Sequence, residues 1–252
     1  GLEAVVQQLP WGSVARPEHL EKIVGPIHGA MLTHSETSTG ALNDIRLLAQ
    51  AVKARNPSAL VVADMVTSLL VSAAELESWG IDAAASGSQK GAMCPPGLGF
   101  AALSPLALEA LKPRGYYLNL GKELRMQKEG ESAWTPAINL VRALASVLEE
   151  VVPGLDEHLE LKSKQTRILY ESGDSLGLTA VPEVRSPATA AFYLPEGIPY
   201  GKVKQVFSRH GAVIAGGQGP LKGKIFRVSL MGHSGLEDAR WAAGILREAV
   251  DS

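Results

Sequence analysis

Leu60-Val61-Val62-Ala63-Asp64 decides how this chain is read. Four apolar residues in a row, closed by a carboxylate, describe a buried strand of a parallel sheet, not one with a wet face. A second, largely apolar run spans residues 81–85 and leads through the small turn Ser86-Gly87-Ser88-Gln89 to Lys90. Each strand delivers one charged group at its carboxyl end, where open α/β sheets gather their ligands.

Outward from this pair, strand and helix signals alternate, which predicts a mostly parallel sheet with helices on both faces. Upstream the pattern predicts a strand over 4–9, a helix over 17–23, a strand over 29–33 and a helix over 44–55. That second helix has apolar positions Ile45, Leu48, Ala49 and Val52 and is stopped by Asn56-Pro57. A short helix is expected over 75–79. Downstream come a returning strand over 99–103 and helices over 105–111 and 135–151. Past Gly154 a helix over 156–170 leads into strands over 188–194, 212–215 and 224–230, with a helix over 200–210. The expected organisation is an incomplete large α/β domain over 1–155 and a small C-terminal α+β domain over 156–252.

Composition narrows the function classes. The formal net charge of −2 gives no electrostatic case for nucleic acid or an anionic membrane. The single cysteine, Cys94, rules out an internal disulfide framework and suits a reducing cytoplasm. No apolar stretch is long enough to span a bilayer, and no metal site is expected.

Four motifs flank the two charged groups in order: Thr33-His34-Ser35-Glu36-Thr37-Ser38-Thr39-Gly40, Ala63-Asp64-Met65-Val66-Thr67-Ser68, Ser86-Gly87-Ser88-Gln89-Lys90-Gly91 and Pro95-Pro96-Gly97-Leu98-Gly99-Phe100. Gly216-Gly217-Gln218-Gly219-Pro220 and Lys224-Ile225-Phe226-Arg227-Val228-Ser229-Leu230-Met231-Gly232 follow near the end. Together they resemble the class V aminotransferases, in particular the alanine–glyoxylate and serine–pyruvate branch. The resemblance implies fold type I and the cofactor pyridoxal 5'-phosphate (PLP). An acid opposite the ring nitrogen keeps the pyridine protonated, and a lysine amine holds the aldehyde as a Schiff base.

The same resemblance implies roles residue by residue. Lys90 would carry the cofactor and Asp64 would face its ring nitrogen. Val66 would pack on the ring, Thr37 would offer a hydroxyl, and Gln89, with Ser88 as the alternative, would reach the phosphate. Thr135 would reach the phosphate of the partner's cofactor in a homodimer, although Ser132 stands where the family has a tyrosine. Arg227, inside an apolar strand, requires an anionic partner, and in the family the matching arginine grips the substrate carboxylate. His34 reads as a loop histidine, and the Gly216-Gly217 pair as a close backbone approach. The implied reaction moves an amino group from alanine, serine or aspartate to glyoxylate, pyruvate or 2-oxoglutarate.

Cys94 raises a rival, because cysteine desulfurases share this fold. They carry a histidine where this chain has Gln89, and Cys94 reads as a packing residue. A lyase of the same fold would show much the same motifs, and so would an inactive fragment that only assembles. The chain begins at Gly1, and the resemblance predicts about a hundred further residues upstream, since such a domain is incomplete at about 150 residues. They would hold a phosphate-binding turn and an aromatic residue stacked on the ring.

Overall fold

The structure, a computed structural model, describes residues 2–112 and 114–251. In chain order the elements are α1 (Pro17–Glu21), β1 (Gly29–Thr33), β2 (Ser35–Glu36), β3 (Ala41–Leu42), α2 (Ile45–Arg55), β4 (Leu60–Asp64), β5 (Ala83–Gly87), β6 (Gly99–Leu103), α3 (Pro105–Ala110), α4 (Leu120–Lys128), α5 (Ile138–Val151), α6 (Leu155–Ser175), β7 (Ala190–Tyr193), α7 (Tyr200–Arg209), β8 (Ala215–Gly216), β9 (Ile225–Val228) and α8 (Leu236–Asp251).

The first sheet has the order β1-β4-β5-β6. Its first three strands are parallel, and β6 returns antiparallel to β5, as the sequence pattern predicts. Helix α2 starts at Asp44, whose carboxylate accepts the Leu47 amide at 3.0 Å. It sets Ile45, Ala49 and Val52 against Val61, Ala63 and Ala84. Pairing places Met31, Val62, Ala83 and Leu103 in one row of the opposite face, and Thr33, Asp64, Ala85 and Ala101 in the next. That face is open. Met31 is 88% exposed, and no helix covers it among the described residues.

Strand β5 starts two residues later than its apolar run because Asp82 is committed elsewhere. Its buried carboxylate accepts from Lys53 Nζ at 2.6 Å, the Val61 amide at 2.8 Å and the Ser104 hydroxyl at 3.1 Å. This knot ties the amino ends of the strands to α2, leaving the carboxyl ends for ligands.

The second sheet, β7-β9-β8, is antiparallel. Its core joins Phe192 and Phe226 to Leu169 and Tyr170 of α6, Val203, Val206 and Phe207 of α7, and Ile245 and Leu246 of α8. The Phe192 and Phe226 rings lie 5.6 Å apart. Strands β7 and β9 are almost wholly buried.

Two local expectations are corrected. Residues 4–9 form no strand and are mostly exposed, since no neighbouring chain pairs with their backbone groups. Residues 75–79 form a turn closed by the Trp79 amide on the Glu75 carbonyl at 3.0 Å; so short a segment does not repay helix nucleation. Helices α4 and α8 were not anticipated. Helix α4 buries none of its residues, whereas α8 buries Ala239, Ala242, Ile245, Leu246 and Ala249.

Candidate active site

Asp64 ends β4 on the open face. Its Oδ1 accepts the Val66 amide at 2.9 Å, a tight turn that fixes the carboxylate while leaving it exposed. The turn is tied to the next strand by the Met65 amide on the Ala85 carbonyl at 2.8 Å and the Ser86 hydroxyl on the Met65 carbonyl at 3.0 Å. Val66 is half-buried beside it.

Lys90 follows β5 and is half-buried. Among the described residues its amine has no hydrogen-bond or ion-pair partner, which suits a nitrogen meant for a covalent bond and not for a salt bridge. The next residue has to be glycine: a Cβ on Gly91 would stand 2.1 Å from the Leu69 carbonyl oxygen. That approach packs the lysine loop onto the loop following Asp64. Cys94 is buried and its amide bonds the Ser88 carbonyl at 3.0 Å, a packing position as expected.

Ser88 departs from its expected role. It is fully buried, its hydroxyl donates to the Pro95 carbonyl at 2.7 Å and it accepts the Leu98 amide at 3.2 Å. It closes the 88–98 loop and is not turned toward a phosphate. Gln89 is exposed, and its side-chain amide lies folded back over Gly87. Thr135 is exposed as well, with no hydrogen bond to the site residues of its own chain among the described residues.

Thr37 sits in the turn between β2 and β3, and its hydroxyl meets that of Thr67 at 2.5 Å. The Thr37–Thr67 contact joins the turn to the Asp64 segment. On its other side the turn docks against the second sheet's unit. Ser35 and Ser186 share a 2.7 Å hydroxyl contact, the Leu42 amide bonds the Val184 carbonyl at 3.0 Å, and the Ser186 amide bonds the Gly40 carbonyl at 2.8 Å. Gly40 has φ +74°, and a Cβ there would lie 2.7 Å from the Thr189 carbonyl oxygen.

Arg227, central in β9, is only 7% exposed. No acidic side chain touches its guanidinium among the described residues; carbonyl oxygens hold it instead. Nε and Nη2 donate to Gly216 at 3.0 and 2.7 Å, and Nη1 donates to Thr37 at 2.7 Å. A guanidinium has five N–H groups, so one remains on each terminal nitrogen, the pair that a carboxylate takes in a fork. Burial lowers the Arg227 pKa, opposed by Tyr200 and Glu36. At Gly217 the backbone approaches the Leu221 carbonyl oxygen, which would stand 2.0 Å from a Cβ there.

His34 is buried, and desolvation lowers its pKa to about 4, with Asp44 opposing. It meets the edge of Trp79 at 6.0 Å and lines a cavity of about 1030 Å³ with Ile45, Val71, Leu159 and Val184. Neither Asp64, Lys90 nor Arg227 borders that cavity, so the reactive groups lie elsewhere.

Hydrogen bonds link Arg227 to Thr37 and Thr37 to Thr67 of the loop after Asp64, and the close approach of Gly91 to Leu69 packs the Lys90 loop on that same loop. Sequence reasoning did not single out Thr67, Glu36 or the Gly216 carbonyl, although all three lie inside quoted motifs. The residues present suit PLP: a carboxylate with a free oxygen, a partnerless lysine, an aliphatic side chain between them in sequence and nearby hydroxyls.

Comparisons place the chain among the aminotransferases. The chain is 62% identical to a Thermus thermophilus aspartate aminotransferase of subgroup IV, with a TM-score of 0.93 over 96% of this chain and 69% of that one. It is 30% identical to an alanine–glyoxylate aminotransferase from Nostoc sp., TM-score 0.88, over 96% and 67%. It is 35% identical to a protein named soluble hydrogenase, small subunit, from Synechococcus sp. (strain PCC 6716), over 96% of this chain. The chain spans 65% and 63% of the length of two such curated relatives. These structural relatives give the fold as PLP-dependent transferase fold type I. The model of aminotransferase class-V matches residues 7–238, and the chain belongs to that family.

Proposed function

We propose that the protein is a PLP-dependent transaminase exchanging an amino group between a small amino acid and a keto acid. The observation that carries this reading is the partnerless Lys90 amine at the carboxyl end of one strand beside the exposed Asp64 carboxylate of the next. When bound, PLP supplies an electron-withdrawing ring that stabilises negative charge at the substrate Cα.

The chain's own residues do the rest. Asp64, held by the Val66 amide, would face the ring nitrogen of the bound group. The Lys90 amine would hold its aldehyde and, when free, would move a proton at the substrate Cα. Arg227 would hold the α-carboxylate by its remaining N–H groups and so orient the substrate Cα. Val66 would offer an apolar contact to the ring, and Thr37 and Gln89 polar ones. Thr135 acts across a homodimer, where its exposure leaves it available to the partner's site. The large and small domains divide near residue 155, where α6 begins.

Aspartate and alanine are the preferred donors and glyoxylate the leading acceptor, in line with the names of the two solved relatives. Among the described residues no helix is long and apolar enough to cross a membrane. The test is an assay of the purified protein with alanine, serine and aspartate against glyoxylate, pyruvate and 2-oxoglutarate. Keto-acid formation from at least one donor is expected. Sulfide release from cysteine without amino transfer would establish the desulfurase reading instead.

A further inference from the structure

The Thr37–Ser38 peptide lies between two charges. Its carbonyl oxygen accepts Arg227 Nη1 at 2.7 Å, while its N–H, carried by Ser38, donates to Glu36 Oε1 at 2.8 Å. The same carboxylate oxygen takes the Ser38 hydroxyl at 2.5 Å. A peptide group is planar, so its N–H and C=O turn together and point in opposite directions. Fixing the N–H on Glu36 therefore fixes the direction in which the carbonyl meets Arg227.

We propose that Glu36 is a positioning residue for Arg227, acting as a counter-ion through one peptide group. This rests on the reading of Arg227 as the carboxylate-binding residue. A carboxylate touching the guanidinium directly would occupy the N–H groups that a substrate needs and would compete for its charge. Through the peptide, the negative charge polarises the carbonyl and strengthens its hold on Nη1, yet the free N–H groups stay available. The turn that carries the peptide is itself braced on both sides. Thr39 and Gly40 amides return to the Glu36 carbonyl at 3.3 and 2.8 Å, and Thr37 meets Thr67. A displacement of the Thr37 peptide would thus move both the guanidinium and the hydroxyl that touches the Asp64 segment.

The test is binding of propionate, which has the carboxylate and no group that reacts, followed by NMR through the Arg227 Nε–H signal. Glu36→Ala should weaken propionate about tenfold and speed exchange of the Ser38 amide. Glu36→Gln keeps an acceptor for Ser38 but loses the charge, so it should fold like the parent and fall between, at about threefold. That order, with Gln partly restoring what Ala loses, supports the relay. If Arg227→Ala abolishes propionate binding while both Glu36 variants stay within about twofold of the parent, the relay is wrong and the reading of Arg227 stands. If Arg227→Ala leaves propionate binding unchanged, Arg227 is not the carboxylate site, and the role given to Glu36 falls with it.

Discussion

Strand β4 alternates buried and accessible side chains and ends on an exposed carboxylate, whereas β9 is buried at all four positions, its arginine included. The first sheet is packed on one face by α2 and open on the other; the second is enclosed by α6, α7 and α8. Their charged groups are held accordingly. Asp64 and Lys90 are fixed by short local turns and keep their reactive atoms free. Arg227 is fixed by carbonyls from two distant segments. Groups that must meet a bulky cofactor need open space, while a group that must orient a small carboxylate needs a rigid mount.

The largest expected effect separates chemistry from packing. Lys90→Ala should abolish amino transfer while circular dichroism and thermal unfolding stay close to those of the parent, because the half-buried side chain makes no hydrogen bond among the described residues. Residual turnover at a sizeable fraction of the parent rate would remove Lys90 from the reaction.

Packing is tested by one apolar truncation in each sheet. Phe226→Ala should lower unfolding free energy by about 3–5 kcal/mol, the usual cost of emptying an aromatic site in a closed core. Met31→Ala on the open face should cost less than about 0.5 kcal/mol. Equal losses in urea titrations would mean that the open face is covered in solution.

A pH series probes the first unit from its buried side. His34 has a pKa lowered to about 4 in the fold, against an ordinary value of 6.5. Between these values the unfolded chain binds a proton that the folded one refuses, so stability rises with pH through that window and is lost as pH falls. The contribution is on the order of 3 kcal/mol. Urea midpoints measured from pH 7 to pH 4 should show that decline, and His34→Gln should flatten it. An identical slope in the variant would assign the decline to other groups.

A further effect belongs to the rigid mount. Arg227→Ala should raise KM for both amino acid and keto acid about ten- to a hundredfold, as expected from losing about 1.5–3 kcal/mol of charged hydrogen bonding. A change for one substrate only would mean that the two carboxylates bind in different places.

The open sheet was legible in the sequence because parallel strands are continuous apolar runs, and a charged residue ending such a run announces its carboxyl edge. Asp64 and Lys90 therefore stood out as strand-end groups, while the roles given to them rest on the resemblance. Ser88 was misplaced because residue type does not reveal which way a serine turns, and here the loop needed its hydroxyl for Pro95 and Leu98. Arg227 lies within a buried strand as expected, but the carbonyls that hold it were not foreseen, since backbone carbonyls leave no trace in residue identity. The relay from Glu36 is invisible for the same reason. The strand expected over 4–9 failed because strand propensity is local and pairing is not.

The central claim is that Lys90 is the covalent attachment point of the cofactor. Incubating the protein with PLP, reducing with borohydride and mapping the labelled peptide by mass spectrometry tests it most directly. The account predicts a single phosphopyridoxyl adduct, on Lys90, that is absent from Lys90→Ala. An adduct concentrated on another lysine, with Lys90 unmodified, would contradict it.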